Sequence, residues 1–290
     1  MKVINFEVKE SVHAGLLKDD AVYQIDRLPG FKGLDTVSLI SLNSLEKEKL
    51  IGLVSNSEIH YKLQDVKLKA PILKPSKYLA IGLNYQKHVD EVKAKGLKIP
   101  KHQLWFNKQV SCINGPYDDI EMPLVSSKLD YEGEMAFVIS KECRHIKAEK
   151  AADYIGGYFV CNDVSVRDWQ MHSPTFTMGK SFDSHGPIGP WIVTPDEIED
   201  PHNLDIEVWV NDEVRQKSNT SDMIYNCFEQ IEYLSKAFTL MPGDIIATGT
   251  PAGVGIGTTP PVYLKTGDRV KVEIEGLGYI ENKVVDEPAR

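Results

Sequence analysis

The chain has 290 residues, 42% apolar and 26% charged, with a formal net charge of −9 and a pI near 5.4. This composition excludes disordered, collagen-like and coiled-coil chains, and the acidic balance argues against nucleic acid or an anionic membrane as partner, because phosphate contacts need Lys and Arg. No apolar run approaches the roughly 20 residues of a membrane span, Met1–Phe6 lacks a secretory or transit pattern, and Cys112, Cys143, Cys161 and Cys227 lack zinc-like spacing, so a cytoplasmic protein with reduced thiols is expected.

The segment from Val3 to Val8 reads as a strand, Asp19-Asp20 as a hairpin turn, and a polar–apolar stretch follows to about Val54. From Val66 to Pro75 the chain is basic and carries Pro71 and Pro75. Proline fixes φ and blocks helix, so an extended connector is predicted there. It divides a small N-terminal α/β domain (residues 1–70) from a larger domain (residues 71–290). Tyr131 to Ser140 and Gly157 to Asp163 are β-type runs. Leu204 to Val210 alternates with period two into an Asn211-Asp212 turn, and Val270, Val272 and Ile274 alternate with charged neighbours. One amphipathic helix is expected after Thr220 or Ser221 as N-cap. Ile224, Phe228, Ile231, Leu234 and Phe238 would share its buried face, with Pro242-Gly243 at its end. The fold class is therefore α+β, dominated by mixed β structure.

Several segments carry chemistry-bearing side chains. In Asp130-Tyr131-Glu132-Gly133-Glu134, strand geometry points Glu132 and Glu134 to one face, and Gly133 would leave the opposite face open. Two adjacent carboxylates repel unless a cation lies between them, and the alternative is that they line a solvated strand face. Asp163 ends an apolar strand, where it either caps the following segment or joins those glutamates. Three carboxylates would make a hard oxygen site suited to Mg²⁺ or Mn²⁺, with Ca²⁺ a further candidate. Zinc fits less well, because no Cys or His is placed to join them. His88 and Glu91, three apart on a helix, share a face, so the carboxylate could hold one ring nitrogen and leave the other as a base. The polar segment from Val92 to Lys101 reads as a flap over such a site. Lys180, in the Gly179-Lys180-Ser181 turn, could stabilise an anion. The glycine-dense run from Thr248 to Gly255 lacks the order of a phosphate loop and reads as a backbone-amide pocket for a carboxylate.

Taken in order, these motifs resemble the fumarylacetoacetate hydrolase superfamily, from about Lys77 to Val285. Those that carry the likeness include Ile81-Gly82-Leu83-Asn84-Tyr85, Phe106-Asn107-Lys108, the Asp130 to Glu134 run, Asn162-Asp163, Arg167-Asp168-Trp169-Gln170, Gly179-Lys180-Ser181-Phe182-Asp183 and Thr248-Gly249-Thr250-Pro251. The resemblance implies a mixed β-sandwich roll and a homodimer. It implies a divalent metal on Glu132, Glu134 and Asp163, with His88, Glu91 and Lys180 as catalytic residues. Asn84, Phe106, Lys108, Arg167, Gln170 and Thr250 would line the substrate pocket. The founding hydrolase has one more aspartate ligand, seven residues before its catalytic histidine; here that place is Ile81, which argues against fumarylacetoacetate itself as substrate. The implied chemistry is metal-supported enolate formation on a 2-oxo acid. Hydrolysis of the C–C bond of 2,4-dioxo acids is the leading expectation, ahead of oxaloacetate decarboxylation or keto–enol tautomerisation and of a non-catalytic 2-oxo acid binder.

Overall fold

A computed structural model describes residues 1–289 apart from Lys95, Leu97 and Lys98. The strand Gly133–Ile139 runs through its centre and is buried at every position. Met135 and Phe137 face one apolar cluster, Ala136 and Val138 the other. Burial on both sides explains why the sequence there is continuously apolar instead of alternating. Gly133–Ile139 pairs antiparallel with Ile155–Asn162 on one side and with Ile245–Ala247 on the other. Gly186–Val193 extends this sheet past Ile155–Asn162, and the N-terminal strand Lys2–Val8 pairs with it. Thus one 12-stranded sheet crosses the expected boundary near residue 70, and the connector contributes its own short strand, Lys67–Lys69, paired with Lys2–Val8.

Over the other face lies a five-stranded sheet containing Asp205–Val210, Arg269–Ile274 and Gly278–Asp286. Its inward residues Ile206, Val208, Val270, Val272 and Ile280 are fully buried against the central strands, as the period-two pattern predicts. The architecture is α+β, a mixed β sandwich. The Asp19-Asp20 and Asn211-Asp212 turns occur where expected, joining Ser11–Lys18 to Ala21–Gln24 and Asp205–Val210 to Glu213–Asn219. All four cysteines are buried thiols, and no helix among the described residues is long and apolar enough to cross a membrane.

Two expectations need correction. The amphipathic helix is Cys227–Ala237, and its N-cap is Asn226, not Thr220 or Ser221. Asn226 accepts hydrogen bonds from the Phe228 and Glu229 N–H groups while Glu229 accepts from the Asn226 N–H. This reciprocal box satisfies more orphan donors than a lone hydroxyl would. Ile224 therefore lies before the helix, and Phe238, with extended backbone, closes it before Pro242. The second concerns Gly133, whose far face is filled. A Cβ there would lie 2.3 Å from Val208 Cγ2 and 3.0 Å from Val272 Cγ1. Glycine is needed at this point so that the two sheets can close.

Candidate active site and metal centre

Strand ends build the centre. The chain leaves the short strand Leu129–Asp130, turns through Tyr131-Glu132 and enters Gly133–Ile139. Asp163 follows directly on Ile155–Asn162, and its N–H donates to the Glu132 carbonyl at 2.8 Å. That bond ties the two segments together beside their carboxylates. One oxygen each from Glu132, Glu134 and Asp163 lies within 4.8 Å of the others, and all three residues are buried.

Three cations surround this cluster. Lys180 Nζ donates to Glu132 Oε2 at 2.7 Å and to Asp163 Oδ2 at 2.6 Å. Arg167 Nη1 donates to Glu132 Oε1 at 2.6 Å and to Gln170 Oε1 at 3.0 Å. Lys108 Nζ donates to Asp163 Oδ1 at 2.6 Å and to the Lys180 carbonyl at 2.5 Å. Burial by itself would raise the Glu132 carboxyl, but Lys180 and Arg167 overcome it and hold the group down at about 2. Glu134 makes no ion pair among the described residues, and Lys180 lowers its carboxyl only from a distance. The hydrogen bond its carboxylate makes among the described residues comes from Gly249 N–H, at 2.8 Å. Burial first, then the charges of Asp163 and Glu132, push its carboxyl well above the ordinary range. A divalent cation among the three carboxylates would relieve this uncompensated charge, and an all-oxygen donor set suits Mg²⁺ or Mn²⁺. The residues present therefore fit a hard divalent ion. Ile81 is buried in the strand Tyr78–Gly82 and supplies no oxygen from its side chain.

His88 and Glu91 lie on the helix Gln86–Ala94. His88 Nδ1 is 3.1 Å from Glu91 Oε2, and the His88 side chain is 12% exposed. Glu91 Oε1 accepts in turn from Gly253 N–H at 3.1 Å. This helix accounts for the first part of the expected flap; Lys95, Leu97 and Lys98 of that segment lie outside the described residues.

The glycine-dense run does present amides to carboxylates, but the carboxylates are the chain's own. Gly249 serves Glu134, Gly253 serves Glu91, and Gly255 and Ile256 serve Asp130. Gly253 has φ +105°, and a Cβ there would lie 2.1 Å from the Arg215 carbonyl oxygen. Only glycine offers its amide in that geometry.

The residues expected to line the pocket divide into two groups. Phe106 sits beneath Lys180, whose Nζ is 5.1 Å from the ring centroid, while Arg167 and Gln170 lie beside Glu132. Asn84, Lys108 and Thr250 are buried and bonded within the protein. Asn84 spans Tyr225 and Thr248. Thr250 Oγ1 donates to the Gly133 carbonyl and accepts from Gln216. Sequence reasoning gave no role to Asp130, which salt-bridges Arg167 at 2.8 Å. Its signal lay inside the acidic run already singled out.

The family model for the fumarylacetoacetate (FAA) hydrolase C-terminal region matches residues 77–285. The chain belongs to the fumarylacetoacetate hydrolase family. The mitochondrial oxaloacetate tautomerase Fahd2a of Rattus norvegicus is 48% identical over 217 residues, covering 74% of this chain and 68% of the relative. Fumarylacetoacetate hydrolase domain-containing protein 2 homolog of Dictyostelium discoideum is 41% identical over 291 residues, covering 95% and 93%. Among solved structures, maleylpyruvate hydrolase from Sphingobium sp. SYK-6, in complex with manganese(II) ion and pyruvate, aligns with TM-score 0.79 at 31% identity, over 99% of this chain and 100% of that one. The family's enzymes thus include a tautomerase and a hydrolase that act on small oxo acids.

Proposed function

We propose that this chain is a divalent-metal-dependent enzyme of 2-oxo acids and that its reaction is keto–enol tautomerisation of oxaloacetate. The observation that carries the reading is the cluster of three buried carboxylates with Lys180 against it, with a preformed His88–Glu91 pair on the adjoining helix. Glu132, Glu134 and Asp163 would hold Mg²⁺ or Mn²⁺. When bound, such an ion supplies Lewis-acid stabilisation of the negative charge that develops on the 2-oxo oxygen. His88 removes the C3 proton of the keto acid, and a proton is returned to the C2 oxygen to complete the enol; ketonisation is the reverse. Glu91 accepts from Nδ1–H, which fixes the tautomer that leaves Nε2 as the base. Lys180 adds fixed positive charge beside the developing oxyanion. Phe106, Arg167 and Gln170 meet the substrate in this reading, while Asn84, Lys108 and Thr250 hold the walls through their internal hydrogen bonds. A homodimer is part of the proposal.

Choosing oxaloacetate over a 2,4-dioxo acid follows the sequence relatives, named as tautomerases at 48% identity, whereas the hydrolase neighbour shares 31%. The second reading is C–C hydrolysis, in which His88 deprotonates a water that attacks the 4-carbonyl of an acylpyruvate and pyruvate leaves as its enolate. The His88–Glu91 pair favours it, since water activation needs an oriented base. Measuring oxaloacetate ketonisation, oxaloacetate decarboxylation and acetylpyruvate cleavage side by side decides between them. Tautomerisation should exceed the other two, and should fall at least a hundredfold in His88→Ala and on exhaustive chelation. Acetylpyruvate cleavage outrunning tautomerisation would overturn the assignment.

A further inference from the structure

Asp130 belongs neither to the three carboxylates nor to the His88–Glu91 pair, yet four donors converge on it. It is fully buried. Oδ1 accepts from the N–H groups of Tyr131 at 2.9 Å and Gly255 at 2.7 Å. Oδ2 accepts from the Ile256 N–H at 2.9 Å and from Arg167 Nε at 2.8 Å. Two donors on each oxygen require a carboxylate, because an amide side chain has one acceptor oxygen and would turn its own NH₂ toward two of these donors. The Arg167 charge makes the burial tolerable.

Two chains of contact leave this residue. Through Arg167 Nη1 it reaches Glu132 Oε1, at 2.6 Å. Through the backbone of 253–256 it reaches Gly253, whose N–H donates to Glu91 at 3.1 Å, and Glu91 holds His88. The same loop is fastened a second time, where the Tyr131 hydroxyl donates to the Gly253 carbonyl at 3.0 Å. There is no slack at Gly255, where a Cβ would stand 2.6 Å from Asp130 Oδ1 and 2.2 Å from the Val262 carbonyl oxygen.

We propose that Asp130 is a positioning residue that sets the His88–Glu91 pair at a fixed distance from Glu132, by clamping the glycine loop and Arg167 to one carboxylate. The inference deepens, and rests on, the reading that His88 transfers the proton. Geometric control of this kind acts on turnover more than on binding, because a displaced base loses its near-attack geometry while the substrate's other contacts remain.

The test compares wild type with Asp130→Asn. Expected are a kcat for oxaloacetate at least tenfold lower, a KM that rises by less than kcat falls even though Arg167 meets the substrate, and faster deuterium uptake in 253–257 and in the helix 86–94. The thermal shift induced by Mn²⁺ should keep at least half its size, since the three carboxylates are untouched. In a Glu91→Gln background the same substitution should cost less than threefold, because the two changes break one linkage. Tyr131→Phe, which removes a single hydroxyl from the loop, should lower kcat threefold or more and decides the matter if Asp130→Asn does not fold. Wild-type kcat in either folded variant, losses that multiply in full with Glu91→Gln, or unchanged exchange in both segments would overturn the proposal. If wild type turns over none of the acids, the oxaloacetate reading fails instead, and the exchange measurement alone decides the role of Asp130.

Discussion

Replacing Lys108 with methionine separates a residue that holds the site together from one that touches substrate. The lysine and Asp163 side chains are both 0% exposed and pair at 2.6 Å. Methionine keeps the length of the apolar stem but deletes the ammonium. Asp163 would still be held by Lys180 at 2.6 Å, so its charge would be half-compensated, and the Lys180 carbonyl would lose the donor now 2.5 Å away. Breaking a buried pair by removing one partner costs about 3–5 kcal/mol. The remaining Lys180 contact pulls toward the low end, while the stranded carbonyl adds about 1–3 kcal/mol. The expected loss is therefore about 4–6 kcal/mol, a large share of the 5–15 kcal/mol typical of a domain. Urea unfolding followed by circular dichroism at pH 7, with chelator present, reads it directly. A loss below about 1 kcal/mol at unchanged m-value, with raised KM as the sole defect, would refute the reasoning and return Lys108 to the substrate.

Glu134→Gln removes a carboxyl whose folded-state pKa is raised, so the group now lowers stability increasingly as pH climbs above its unfolded value; the variant should be more stable than wild type in chelator and should lose the Mn²⁺-dependent rise in melting temperature. A variant that still responds to Mn²⁺ as wild type does would remove Glu134 from the ligand set. Gly133→Ala should destabilise by about 1–3 kcal/mol through overpacking between the sheets, read by the same urea titration; a neutral result would contradict the 2.3 Å approach of Val208. His185 is held neutral by burial, with its pKa down at about 4 despite the Glu121 carbonyl at 2.8 Å. The unfolded chain takes up this proton near pH 6.5 and the folded chain does not, so wild type should lose up to about 3 kcal/mol as pH falls from 6.5 to 4. His185→Phe should lack that part of the slope, and superimposable pH–stability curves would exclude the assignment.

The fold was legible wherever one face of an element is exposed. Asp205–Val210 and Arg269–Ile274 show their burial as an alternating code because polar residues mark the outer face. Gly133–Ile139 and Ile155–Asn162 announce only that they are buried, and nothing local says which sheets cover them. The pairing of Lys2–Val8 with Gly186–Val193 joins residues nearly two hundred positions apart and leaves no short-range trace. The acidic site was legible through the ordered family motifs, because Glu132 and Glu134 taken alone read equally as a solvated strand face. Its counter-charges came with the family resemblance, Lys180 as a catalytic residue and Lys108 and Arg167 as substrate contacts, and only the packing shows the bonds of Lys108 directed inward. The glycine loop misled in one respect. Its amides promised an anion, and the sequence could not say that the anions were already part of the molecule.

The pairing of Lys2–Val8 with Gly186–Val193 has a practical consequence for trimming the protein. A truncated version beginning at residue 77, where the family match starts, would strip the neighbour from an apolar strand in the middle of a sheet and create a new, unshielded margin. Such margins recruit other chains by backbone pairing. Insolubility of that fragment would then report a missing neighbour strand and would say nothing against the chemistry of the carboxylates one and two strands further in.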